Sequence, residues 1–299
     1  MKTVVESVKE SQGTLCRLLG YSRQAYYKRQ MVVESKAIRS ELIVQEVLKI
    51  RVAQKRLGTR KMHYMLAPFC RDHAIKIGRD QLNEVMREAF LLVRKKRARK
   101  PRTTFSCPWK RYPNLIRGFE PTAANQLWVS DITYVRVGWK FAYLSLVTDA
   151  YSRKIVGYHL SRDLATLGCL KSLRMALRNN PNRDGLIHHS DRGSQYSSAA
   201  YVKQLGPARI SMSEAGDPLE NAIAERVNGI LKDELLRKGF VNLLHARSSI
   251  DEAVSTYNHL RPHLSIEMLT PAEAHTRTGT LKRMWKNYFS APPIAQASA

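Results

Sequence analysis

The chain has 299 residues, 43% of them hydrophobic and 25% charged, a composition that suits a globular protein with room for two or three domains. Fifty Lys and Arg stand against 25 Asp and Glu, a formal charge of +25 that favours a polyanionic partner, nucleic acid before membrane. No apolar run is long enough to span a bilayer, the N-terminus lacks a signal-peptide core, and Cys16, Cys70, Cys107 and Cys169 form no CxxC pair; a membrane protein and a disulfide scaffold are set aside in favour of the cytoplasm, on the nucleoid.

The charge is concentrated early, with 28 basic and 10 acidic residues in positions 1–120. Residues 1–93 read as a helical DNA-binding region. Within it, 11–30 have a helix-turn-helix rhythm: Leu15, Leu18 and Leu19 form an apolar stripe and Gly20 supplies the turn. Ser22 can cap a second helix that presents Arg23, Tyr27 and Lys28 to DNA. A long amphipathic helix is expected from Glu34 to about Lys55. A second hairpin follows, one helix opened by Gly58 with Arg60 and Lys61 as DNA contacts, the other opened by Gly78 with Leu82, Val85, Met86 and Phe90 as core positions.

Residues 94–120 read as a basic linker. Nine basic and no acidic residues fall between Arg94 and Arg111, and Arg94, Lys95, Lys96 and Arg97 suit contacts along a phosphate backbone.

From Gln126 the pattern turns to strands. Leu127, Val129, Ile132, Tyr134 and Val137 belong to a first strand, Phe141–Thr148 to a second and Lys154–Leu160 to a third, with turns at Gly138 and Ser152. A helix over Thr166–Arg178 leads to a strand at Leu186–His189, and helix and strand segments then alternate. This is the element order of a ribonuclease-H-like α/β core, placed here at 121–240. A helical extension is expected over 241–289 and a disordered tail over 290–299.

Three carboxylates fall where such a core could gather them. Asp131 lies in the first strand and Asp191 directly after the fourth. Glu225 lies on a helix over Leu219–Leu236, opposite the apolar stripe Ile223, Val227, Ile230 and Leu231 and beside Asn221, Asn228 and Lys232. Converging hard oxygen ligands of this kind can hold two Mg²⁺ ions for phosphodiester chemistry. Asp149 reads as a turn residue and Glu220 as helix N-terminal charge, while His188 and His189 read as packing rather than ligating groups.

The ordered motifs His-Ser-Asp-Arg-Gly-Ser-Gln-Tyr (189–196), Asn221-Ala-Ile-Ala-Glu225, Leu231-Lys-Asp-Glu-Leu235, Tyr257-Asn-His-Leu-Arg-Pro-His263 and Thr270-Pro-Ala-Glu273 resemble the integrase core of OrfB-type bacterial insertion-sequence transposases, relatives of retroviral integrases. The resemblance covers roughly residues 15–275. It implies a DDE transposase in which Asp131, Asp191 and Glu225 bind two Mg²⁺ or Mn²⁺ ions, water frees a 3′-OH at an element end, and that 3′-OH attacks target DNA. Arg192, Asn221, Asn228, Lys232, Arg261 and His263 are expected to touch the double-stranded DNA of the terminal repeats or target; Arg261 and His263 suit bracing of the core equally well. Further implied are a homo-oligomer of at least two copies and a possible upstream-frame fusion partner. The other reading is a catalytically inactive DNA-binding protein, a repressor or relic that grips the element ends. Two features depart from the family: the spacing from Asp191 to Glu225 is slightly short, and Arg226-Val-Asn228 replaces the aromatic-rich stretch usual after the Glu.

Overall fold

The computed structural model describes residues 12–93, 112–214, 221–236 and 239–284. It divides into two compact units, Met1–Ala53 with Leu57–Arg94, and Gln54–Arg56 with Lys95–Ala299.

The first unit is helical: α1 (Gln12–Leu18), α2 (Arg23–Ala53), α3 (Thr59–Asp72) and α4 (Arg79–Glu88). Gly20 takes φ +73° at the turn after α1. Ser22 caps α2, its Oγ accepting the Ala25 amide at 3.0 Å. The expected break before Glu34 is absent because Arg23–Ala53 contains neither Gly nor Pro, so nothing ends the helix. Only Ile43 and Val47 of α2 are buried. Leu18 and Leu19 are exposed rather than packed, which corrects the expected stripe. Gly58 and Gly78 open α3 and α4 as expected. The core of the unit comprises Ile43, Val47, Leu57, Met62, Leu66, Ile75, Leu82, Val85 and Met86. Phe90 does not join it. It lies beyond the end of α4 at φ +57° and is 93% exposed, because helical spacing stops applying once the helix ends.

The second unit is built on a five-stranded sheet of order β3-β2-β1-β4-β5. Its strands are β1 (Leu127–Val137), β2 (Lys140–Asp149), β3 (Ile155–Ser161), β4 (Ile187–Ser190) and β5 (Arg209–Met212). β1, β2 and β3 pair antiparallel, while β1–β4 and β4–β5 are parallel, the ribonuclease-H-like arrangement that the sequence order implied. The crossovers run through α5 (Thr166–Asn179) and α6 (Ala199–Leu205), and then come α7 (Ala222–Ile230), one π turn (Leu231–Leu235), α8 (Leu243–His259) and α9 (Pro271–His275). Alternation along the strands divides the core. Trp128, Val147 and Val156 pack with α5 and α6; Val135, Leu144, Leu146 and Ile155 pack with α7, the π turn and α8. Where α5 crosses β3, a Cβ on Gly157 would stand 2.1 Å from the Ser172 carbonyl oxygen, so only glycine permits that approach.

The C-terminal motifs are structural. The Asn258 side chain accepts the Ile155 amide and donates to the Ile155 carbonyl, both at 3.0 Å, and so extends the ladder at edge strand β3. Thr270-Pro-Ala-Glu273 is a capping box with Pro at the start of α9. Asp149 is the expected turn residue, fully buried, accepting the Ser152 amide at 2.7 Å and the Asn125 amide at 2.7 Å. Residues 112–120 depart from the expected linker. Tyr112, Leu115 and Ile116 pack on the core, and the Leu115 amide donates to Ser211 Oγ at 2.9 Å.

Candidate active site

β1 and β4 run parallel with Ser130 opposite Ser190, so their next residues, Asp131 and Asp191, come to the same end of the sheet centre. Odd-numbered side chains of β1 face α7, which is why Asp131 meets that helix. Asn228 Nδ2 donates to Asp131 Oδ2 at 2.6 Å, and the Ile132 amide donates to Oδ1 at 2.9 Å. Asp191 Oδ1 accepts the Gly193 amide at 3.0 Å. Glu225 lies in the first turn of α7, one turn before Asn228, with its side chain exposed.

Burial and then the neighbouring charge of Asp191 push the Asp131 carboxyl up to about 7, against the two hydrogen bonds that favour its anion, and Glu225 adds to the rise. Burial also raises Asp191. Two carboxylates held beside each other, with a third in their field, form a site whose negative charge is not compensated by the protein. Among the described residues, no three Asp, Glu, His or Cys side chains stand together closely enough to hold a metal ion. The fit to a hard divalent cation is therefore one of donor type and charge: the donors are carboxylate oxygens, and their mutual repulsion is what such a cation relieves.

A polar layer underlies these acids. His188 is buried beneath the sheet end, with Nε2 2.8 Å from Ser130 Oγ and 3.0 Å from Tyr201 OH. His189 Nδ1 lies 2.9 Å from Ser211 Oγ. Both histidines pack, as expected. Burial, then the adjacent His189, lowers His188 to about 3, so the folded protein holds it neutral. Its usual value in an unfolded chain is near 6.5, so the stabilisation is complete above that pH and erodes as pH falls towards the folded-state value. Unfolding free energy should drop by about 2 kcal/mol between pH 7 and pH 5 from this group alone. Urea titrations at the two pH values check it: the drop should shrink by that amount in His188→Gln.

The remaining expected contact residues divide by exposure. Arg23, Tyr27 and Lys28 on α2, Arg60 on α3 and Lys232 are exposed, and Lys61 is half-buried. Arg94, Lys95, Lys96 and Arg97 lie outside the described residues. Arg192 folds back, its Nε donating to the Ser213 carbonyl at 2.8 Å. Four residues named as DNA contacts lie in the interior, and for Arg261 and His263 this is the bracing that the sequence suited equally well. Asn221 is buried and donates to the Ser130 carbonyl at 3.3 Å, and Asn228 is buried against Asp131. Arg261, 1% exposed, grips Glu234 with Nε and Nη2 at 2.9 Å each. Its Nη1 donates to buried His263 Nε2 at 3.0 Å. The sequence placed Asn228 among the amides able to touch a metal ligand or a phosphate, and the acid it meets is Asp131.

Residues 121–218 and 207–271 each match a family described as an integrase core domain. The chain is 35% identical over 267 residues to the insertion element IS600 uncharacterized 31 kDa protein of Shigella sonnei, covering 86% of this chain and 96% of that protein. The chain belongs to the insertion-sequence transposases with an integrase core. It is also 30% identical to the transposase for insertion sequence element IS629 of Shigella sonnei, covering 92% of this chain and 95% of that one. Among solved structures, the HTLV-2 integrase catalytic core domain in complex with magnesium matches with a TM-score of 0.41 and 19% identity, covering 53% of this chain and 100% of that one. Membership in this transposase family gives the general function, DNA transposition. No helix among the described residues is long and apolar enough to cross a membrane.

Proposed function

We propose that this transposase is of the DDE type: it cleaves the ends of its insertion sequence and joins the freed 3′-OH to DNA, with Asp131, Asp191 and Glu225 as its catalytic acids. The observation that supports this reading best is the approach of Asp131 and Asp191 from two parallel strands, with Glu225 close enough to act on Asp131 from α7. These acids would hold two Mg²⁺ or Mn²⁺ ions, which supply charge stabilisation for the attacking and leaving oxygens of phosphodiester transfer. Asn228 and the Ile132 amide fix the Asp131 carboxylate, and the Gly193 amide fixes that of Asp191. Fixed donors of this kind cost no reorganisation when the reaction occurs. Arg23, Tyr27, Lys28, Arg60, Lys61 and Lys232, with the basic run 94–111, supply the double-stranded DNA contacts. Handling two element ends together calls for at least two copies of the chain.

The absence of a closed three-ligand cluster among the described residues is the observation that favours the other reading, a DNA-binding protein without catalysis. A radiolabelled duplex carrying the element end, incubated with the protein and Mg²⁺, Mn²⁺ or Ca²⁺, separates the two. The transposase should bind in all three ions and yield nicked and joined products with Mg²⁺ or Mn²⁺. Binding with no product under any ion, from the chain alone and from its upstream-frame fusion alike, would establish the second reading.

A further inference from the structure

The β1–β2 hairpin continues past Asp131 to a two-residue tip, Gly138-Trp139, where Gly138 takes φ +56° as tight hairpin turns require. Six residues of strand, Ile132 to Val137, carry the chain from Asp131 to the tip, which therefore stands about 20 Å further along the sheet direction. At that tip Trp139 is 96% exposed. Aromatic rings continue down one face of the hairpin: Tyr134 lies opposite Tyr143 with centroids 5.4 Å apart, and 6.0 Å from Phe141, itself 58% exposed. Arg136, directly opposite Phe141, lies on this same face, and Lys140 flanks the tip; both are exposed. The opposite face is committed to the core through Val135, Ala142 and Leu144. Between Ile132 and Thr148 there is no acidic residue.

We propose that this hairpin is a second DNA-binding element, in which Trp139, backed by Phe141 and Tyr134, stacks on an unpaired or unstacked base while Arg136 and Lys140 hold the flanking phosphates. Ring faces presented on a strand surface suit nucleobases, which all offer a π face, and the accompanying positive charge with no acid suits the backbone between them. An exposed indole at a hairpin tip can equally enter a base step opened by bending, the same stacking chemistry in duplex form. The inference rests on the transposase reading of the acids and names a DNA contact that this reading does not need.

The test measures affinity of the full chain for a 20-nucleotide single strand and for a duplex with a central two-base bulge, across a salt series. Trp139→Ala should weaken both by about tenfold with an unchanged salt slope, and Trp139→Phe should retain most of the affinity, because stacking is lost and regained without any change of charge. Lys140→Gln should instead lower the slope. Trp139 is nearly fully exposed, so the melting temperature of the variants should match wild type. If wild type binds and Trp139→Ala binds equally well, the inference is overturned while the transposase reading stands. If wild type itself binds no DNA, the transposase reading fails with it. A Trp139→Ala variant with normal DNA affinity but a smaller sedimenting mass would overturn the inference in favour of contact with a second copy of the chain.

Discussion

Asp191→Asn should lower DNA joining by about a thousandfold or more while leaving DNA binding intact, and Asp131→Asn should do the same. The size follows from removing one of the few charges on which phosphoryl transfer depends; loss of even a single neutral donor at a reacting centre costs 10²–10³. Both substitutions keep the shape of the side chain, and an Asn oxygen at position 191 can still accept the Gly193 amide. Stability should not fall. Burial and the Asp191 charge push the Asp131 carboxyl up, so the folded protein bears the cost of holding like charges together, and removing either charge relieves it. The expected signature is therefore a dead enzyme that melts at or above the wild-type temperature. Glu225→Gln should also abolish joining, with no change in melting, because its side chain stands in solvent. Assays of end joining beside thermal melting check all three. Joining at the wild-type rate in Asp191→Asn would sink the assignment of the acids.

Much of the core was legible because its signals are local. The strand runs, the turns at Gly138 and Ser152 and the Ser22 cap depend on residues a few positions apart, and the structure places each as read. Asp131 was read in the first strand and Asp191 directly after the fourth, and the parallel pairing of those strands brings both to one end of the sheet. What escaped was pairing across distance. Nothing near Arg261 in sequence announces that Glu234 will meet it, so bracing the core and contacting DNA stood level there. Asn228 was read beside Glu225, but which acid it holds escaped, because its partner lies 97 positions earlier. The helix α2 differs in another way: within the amphipathic stretch expected from Glu34 to about Lys55, Ile43 and Val47 are buried, yet Ile38, Leu42, Leu48 and Val52 are exposed. Periodicity fixes which residues share a face and does not say whether anything packs on it.

The Arg261 brace carries the second large effect. Glu234 lies in the π turn that continues α7, the helix bearing Glu225 and Asn228, so the buried guanidinium ties α8's end to the helix that presents the proposed third catalytic acid. Arg261→Met should cost about 3 kcal/mol of unfolding free energy, because it strands a largely buried carboxylate and leaves His263 Nε2 without its donor. Removing both charges is much milder in such pairs, so Arg261→Met combined with Glu234→Leu should recover most of the loss. Joining should fall in the single variant and return in part in the double, following the stability of α7's C-terminal end rather than the loss of a positive charge. Urea unfolding of the three variants, beside a salt series of DNA binding, decides the matter. A brace predicts a large stability change with an unchanged salt slope. A DNA contact predicts the reverse: near-normal stability and a shallower slope in Arg261→Met, with no recovery when Glu234 is also replaced.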